Sequence, residues 1–353
     1  MLKLRKGLVV QAEPLVVEVA GERRPAWADE RLLGVMEAGD EVVVNVEALD
    51  LELGSGGFDV VHVNLTRGLE GEGAPGEHVM KLNYTSLQHA VKPVDLPGEG
   101  ANPRMAVGAA LVTGLHGQLA PAAWALQEER PGLRVGFVQG PGGALPGALS
   151  RDVAILRERG LLAGHVTAGP AYGGEHEAIS VAGGIDAGIH GLGWDAAIVG
   201  PGPGILGSES RLGHGGLAAL DAANAALGLG LATLLCPRLS SADPRPRHRG
   251  LSHHSRTVIQ MLGSPVRIPV PEASLRGWPM LDEEGGSAQA ALDDLIETCG
   301  GRHDIAVHEV DLSGYAGSGL PAKTMGRTIQ EDPLFFAAAL AAGSALAGAV
   351  GPG

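Results

Sequence analysis

Leu231-Ala-Thr-Leu-Leu-Cys236 is followed by Pro237-Arg-Leu-Ser-Ser-Ala-Asp-Pro-Arg-Pro-Arg-His-Arg-Gly-Leu251, and that by Ser252-His-His-Ser-Arg-Thr-Val-Ile-Gln-Met-Leu-Gly263. The first segment is an apolar run of strand length without polar alternation, the pattern of a strand buried on both faces. The last places Val258, Ile259, Met261 and Leu262 at helical spacing, with Ser252 as N-cap and Gly263 as the stop. Strand, loop and helix in this order are part of an α/β unit, and open α/β sheets bind ligands beyond the carboxyl ends of their strands. The loop and first helical turn hold Arg245, Arg247, Arg249 and Arg256 with His248, His253 and His254, in a chain of formal net charge −14. Such a cluster calls for an anionic ligand.

The same texture repeats on both sides. Ala106 to Thr113, Leu133 to Val138, Ala163 to Ala168, Asp195 to Val199 and Val266 to Val270 are further apolar runs separated by glycine-rich loops and helical stretches, with a last one at Ile305 to Val310. A doubly wound, mainly parallel, Rossmann-like α/β domain is expected over residues 101–353. Its closing segment, Pro333 to Val350, is Ala- and Gly-rich and short of the ~20 strongly apolar residues of a membrane span. It is expected to be a helix packed on the sheet.

Residues 1–100 differ. Runs at Leu8, Leu15, Glu41, Asp59 and Val79 are β-branched and separated by turns, with no long amphipathic helix between them. They predict a small β-barrel-like domain, with Pro93 to Pro103 as the linker. Its only aromatics are Trp27, Phe58 and Tyr84, too few for a stacking platform. With 40 acidic against 26 basic residues, a nucleic-acid role ranks last. Cys236 and Cys299 are the only cysteines, which argues against a disulfide framework or a zinc knuckle. The basic start has no apolar stretch behind it, because Glu13, Glu18 and Glu22 intervene. The expected location is the cytoplasm, without a membrane partner, and a homo-oligomer is left open.

The loops after the runs supply the candidate residues. Gly200 to Ser208 has the composition of a phosphate cradle, with Gly202, Gly204 and Ser208 as binding positions, although it matches neither a P-loop nor a dinucleotide fingerprint. An ordinary sharp turn is the alternative. Asp243, Arg245, Arg247, His248 and Arg249 are read as substrate-binding, with Asp-Pro at 243 equally a turn signal. His253 and His254 lie at a helix start whose partial positive charge favours neutral imidazole, suited to proton transfer. Neighbouring helical side chains diverge by about 100°, so the two are not expected to share a metal. His116 and Glu177 complete the catalytic set as an acid/base pair on neighbouring loops. The remaining histidines near strand runs, His62, His78, His89, His165 and His303, read as structural. His176 and His214 fit no metal-ligand spacing, no metal is expected, and the cofactor is left unknown.

Over nearly its whole length the chain resembles DUF3866, a bacterial family of unknown function. The likeness is carried by Met80-Lys-Leu-Asn-Tyr-Thr-Ser-Leu-Gln, Gly143-Ala-Leu-Pro, Gly202-Pro-Gly-Ile-Leu-Gly, Ala242-Asp-Pro-Arg-Pro-Arg-His-Arg-Gly-Leu-Ser-His-His, Met325-Gly-Arg and Glu331-Asp-Pro-Leu-Phe-Phe. The resemblance implies no activity, and it implies apolar residues where this chain has His176 and His214. The residues themselves lead to a small-molecule enzyme, a hydrolase or transferase using acid/base chemistry on a phosphorylated or carboxylated substrate. The alternative is a non-catalytic sensor of an anionic metabolite.

Overall fold

β-Branched residues at every second position need one buried face, and in the first part of the chain they obtain it by closing on themselves. The computed structural model describes residues 1–52, 57–94, 108–272 and 285–351, and the chain divides into two compact units, Met1–Ala90 and Val91–Gly353. In the first, strands β1 (Leu4–Gln11), β2 (Val16–Val19), β3 (Glu22–Trp27), β4 (Glu41–Asn45) and β5 (Asp59–Asn64) form a closed barrel of order β1-β2-β3-β5-β4. Val9, Val17, Val42, Val44 and Val61 fill it. The charged strand β3 runs parallel to β5, where Arg24 donates from Nε to Asp59 at 2.6 Å. Helices here are single turns, Glu30–Leu33 and Glu47–Asp50. A short ribbon pairs β6 (Val79–Lys81) with β7 (His89–Val91). Most of the linker expected at Pro93 to Pro103 lies outside the described residues.

The second unit contains an eight-stranded parallel sheet of order β11-β10-β9-β12-β8-β13-β16-β17. Its strands are β8 (Ala109–Thr113), β9 (Val135–Gly140), β10 (Gly164–Ala168), β11 (His176–Ala178), β12 (Ala196–Pro201), β13 (Ala232–Cys236), β16 (Arg267–Pro271) and β17 (Asp304–His308). Each apolar run read from the sequence became a strand. The exception is β11, a three-residue edge strand in what reads as a loop before a helix, so Glu177 belongs to the sheet. Helices Leu119–Glu129 and Pro333–Ala349 pack together on one face, and Val181–Asp186, Ala218–Gly228 and His253–Met261 cover the other.

Two features explain the glycine usage. Trp194 lies flat where strands β9 and β10 carry no side chain: a Cβ on Gly136 would sit 2.2 Å from its ring and one on Gly164 2.9 Å. The closing helix comes equally near, since a Cβ on Gly343 would sit 2.1 Å from the Ala122 carbonyl oxygen. That helix, Pro333–Ala349, is buried along most of its length, with Phe335, Phe336, Leu340 and Leu346 in the core. Among the described residues no helix is long and apolar enough to cross a membrane.

Topology fixes where the loops gather. The chain leaves β8 toward β9 and leaves β12 toward β13, so these two neighbouring strands send their connections in opposite directions. That reversal, beyond the carboxyl ends, is where α/β sheets hold ligands.

Candidate functional site

The site is built on the loop after β13. Its base is closed by β14 (Leu239–Ser240) pairing antiparallel with β15 (Gly250–Leu251) and by the Ser252 amide donating to the Arg238 carbonyl at 3.0 Å. Gln118, from the loop after β8, donates through Nε2 to the Pro237 carbonyl at 3.1 Å and accepts from the Gly114 and Leu115 amides. Two neighbouring strand ends are thereby locked together.

Within the loop, Asp243 is fully buried. It accepts from Arg238 Nη2 at 2.8 Å, from Arg245 Nε and Nη2 at 2.9 Å each, and from Arg327 Nη2 at 3.3 Å. Burial alone would raise its pKa, but the hydrogen bonds from Arg245 hold it well below the usual carboxylate range. Arg238 is only 2% exposed, and burial brings its guanidinium down to about 10 against the opposing pull of Asp243. Asp332, also buried, accepts from Ser240 Oγ at 2.7 Å, from the Ser241 amide at 2.9 Å and from Arg327 Nε at 2.9 Å. Three guanidinium groups therefore share two carboxylates.

Beside this network stand four imidazoles. His214 comes from the loop after β12 and His248 from the turn Pro246–His248. His253 and His254 open the helix His253–Met261, whose N-cap is Ser252. The rings of His214 and His254 stack at 3.8 Å and 10°. His253 lies 4.4 Å from His254, and His248 lies 4.9 and 4.8 Å from His253 and His254. Ser252 Oγ contacts His248 Nδ1 at 2.8 Å and accepts from the His254 amide. Burial is the first cause in lowering all four pKa values, His248 to about 3 and His254 to about 2; neighbouring arginines and histidines add to it at His248, His253 and His254, while the Arg211 backbone opposes it at His214. A narrow cavity adjoins the cluster, with Leu115, Gly216, Leu235, Cys236, Arg238 and His254 in its wall.

The rest of the expected set is distributed otherwise. His116 lies at the same edge of the sheet but is occupied: Nδ1 meets the Pro201 carbonyl at 3.1 Å and Nε2 meets Ser150 Oγ at 2.7 Å. Because a carbonyl only accepts, Nδ1 carries the proton and Ser150 donates to Nε2. Glu177 is turned to its own loop, accepting from the Gly173 amide at 2.6 Å and from Thr167 Oγ1 at 2.7 Å. It stands on β11, five strand positions from β13, which is about 24 Å at the usual spacing. The structure does not bring His116, Glu177 and His253 together as one acid/base set.

The Gly200 to Ser208 loop also differs from a phosphate cradle. Gly202 is buried against the neighbouring loop, where a Cβ would meet the Ala144 carbonyl oxygen at 2.3 Å. Gly204 has φ of +69°, and Ser208 Oγ donates to the Gly213 carbonyl at 2.9 Å. The next helical turn begins only at Gly215, so no helix N-terminus stands behind these glycines. Of the three arginines read as an anion clamp, Arg245 is held by Asp243 and Arg249 is exposed. Arg247 is half-buried, with its closest carboxylate, Glu209, 3.7 Å away.

The residues that sequence reading passed over are Arg238, Arg327, Asp332 and His214. Arg238 carries one usable signal, a lone charge within an apolar run. His214 lies 39 positions before His253, with no pattern to join them, and the expectation set it aside as a metal ligand.

Neither a curated protein nor a solved structure matches this chain. A family profile does match, over residues 25–343, which spans both compact units and includes every residue of the site described above. The chain therefore belongs to the family described as a protein of unknown function, DUF3866.

Proposed function

We propose that the α/β unit binds a small carboxylated or phosphorylated molecule beside the histidine cluster and acts on it by hydrolysis or group transfer. One observation carries the reading. All the buried side-chain nitrogens and oxygens without a hydrogen-bond partner among the described residues belong to this one place: Arg238 Nε, Arg247 Nε and nitrogens of His214, His253 and His254. An unpaired buried donor costs about 1–3 kcal/mol, and a folded protein concentrates that cost where a ligand relieves it. Guanidinium donors select a carboxylate or phosphate partner. The local excess of arginine over carboxylate, inside a chain of net charge −14, favours the same partner. His248, held by Ser252 at 2.8 Å, is oriented as a proton-transferring imidazole is. Free, buried Cys236 and Cys299 suit a reducing compartment, in keeping with the cytoplasm.

The test is thermal melting of the full chain with inorganic phosphate, citrate and a panel of phosphorylated and carboxylated metabolites. At least one anion should raise the melting temperature, since a ligand that binds only the folded state stabilises it. Arg247→Ala should lose most of that rise and melt like the wild type without ligand. An unresponsive wild type, or a variant that responds fully, would overturn the reading.

A further inference from the structure

We propose that His214, His253 and His254 bind one divalent transition-metal ion of the class that imidazole favours, with zinc as its representative. One ring nitrogen from each of the three lies within 4.8 Å of the others. In a tetrahedral zinc site with Zn–N bonds of about 2.0–2.1 Å, ligand nitrogens stand about 3.3 Å apart.

The second observation is independent of the first. Nδ1 of His254, Nε2 of His253 and a nitrogen of His214, whose ring also meets the Arg211 backbone, are buried without a hydrogen-bond partner, and His214 and His254 are only 7% and 8% exposed. A buried imidazole normally donates from one nitrogen and accepts at the other. Unpartnered nitrogens on three rings whose ligating atoms lie together have the donor character of a cation site. Gly216 leaves the approach open, because a Cβ there would sit 3.0 Å from His214 Nδ1 and 3.3 Å from His254 Nδ1. The nearby positive charge is moderated where it is most buried, since Arg238 and Arg245 both pair with Asp243.

His253 and His254 can serve one ion although they are adjacent in sequence. They occupy the first turn of their helix, and their rings meet edge to face with centroids 4.4 Å apart. Three protein nitrogens leave a fourth position for water or a substrate oxygen, as catalytic zinc sites do. The inference goes beyond the anion reading and does not depend on it.

The experiment uses the full chain, stripped with a chelator and titrated with zinc by calorimetry and with cobalt(II) by visible absorbance. One ion per chain, a zinc Kd of micromolar or tighter and the intense absorption of tetrahedral cobalt are expected. His214→Ala and His253→Ala should each weaken zinc binding by about a hundredfold, while His176→Ala, on the remote strand β11, should leave it unchanged. Should the buried His214 variant fail to fold, the half-buried His253 variant, with its metal-free melt measured, still decides the matter. A stripped wild type that takes up neither zinc nor cobalt overturns the proposal, and so do variants that bind like the wild type. Phosphate binding by the stripped protein is scored separately, so failure of the metal site and failure of the anion site remain distinguishable.

Discussion

Asp243 organises the positive side of the site by being a fully buried carboxylate that Arg238, Arg245 and Arg327 all reach. Replacing it by Asn leaves Arg327 with Asp332 and takes from Arg238 and Arg245 the carboxylate they share, and breaking a buried charge network by removing one partner costs about 3–5 kcal/mol. Urea denaturation at neutral pH should show a loss of that size for Asp243→Asn. The acid side of the stability profile should change as well. The folded carboxyl holds its proton less tightly than the unfolded one, so the unfolded chain binds more protons as the pH falls through about 4. The wild type therefore loses the Asp243 contribution there, and the variant should lack that part of the acid slope. Equal slopes for the two proteins would remove Asp243 from this role. The sequence marks Asp243 as a binding residue or a turn but not as the centre of this network, because one of its partners, Arg327, lies 84 positions away in the chain.

At the scale of elements, Trp194 and the glycines beneath it offer a clean measurement. Gly136→Ala places a methyl group 2.2 Å from the Trp194 ring, an overpacking that costs about 1–3 kcal/mol. In a Trp194→Ala background the same change should cost much less, so the double-mutant cycle should show strong coupling. Additive effects would mean that the ring is not what excludes a side chain from β9. This is also where the legibility of the sequence is clearest. Strands β8, β9, β10, β12, β13 and β16 were readable because burial on both faces writes an uninterrupted apolar run, and the half-buried edge strand β17 through Ile305 and Val307. β11 was not, since a three-residue edge strand of His-Glu-Ala needs no apolar pattern. β3 escaped for a related reason: Glu22-Arg-Arg-Pro-Ala-Trp owes its place to Arg24 pairing with Asp59, a contact 35 residues away. The site divides in the same way. His248, His253 and His254, close together in the chain, could be seen as a cluster, whereas His214 joins it only through the crossing of strands β12, β8 and β13.

For the whole molecule, the two compact units have separate hydrophobic cores. Val9, Val17, Val42, Val44 and Val61 form the centre of one, and Leu111, Phe137, Ile198, Leu340 and Leu346 belong to the other. A core that shares no residue with its neighbour can melt by itself, so calorimetry of the full chain should resolve two transitions. Val44→Ala removes buried methyl groups from the barrel and should lower only one of them. Leu340→Ala, in the helix Pro333–Ala349, should lower only the other, by the equivalent of about 2–5 kcal/mol. The same two transitions assign ligands to units. Zinc or an anion bound at the histidine cluster stabilises only the fold that contains the site, so the transition sensitive to Leu340→Ala should rise and the one sensitive to Val44→Ala should stay in place. A single cooperative transition lowered by both substitutions would show that the units unfold together. A ligand that raised the barrel transition alone would move the binding function to residues 1–90 and away from the carboxyl edge of the sheet.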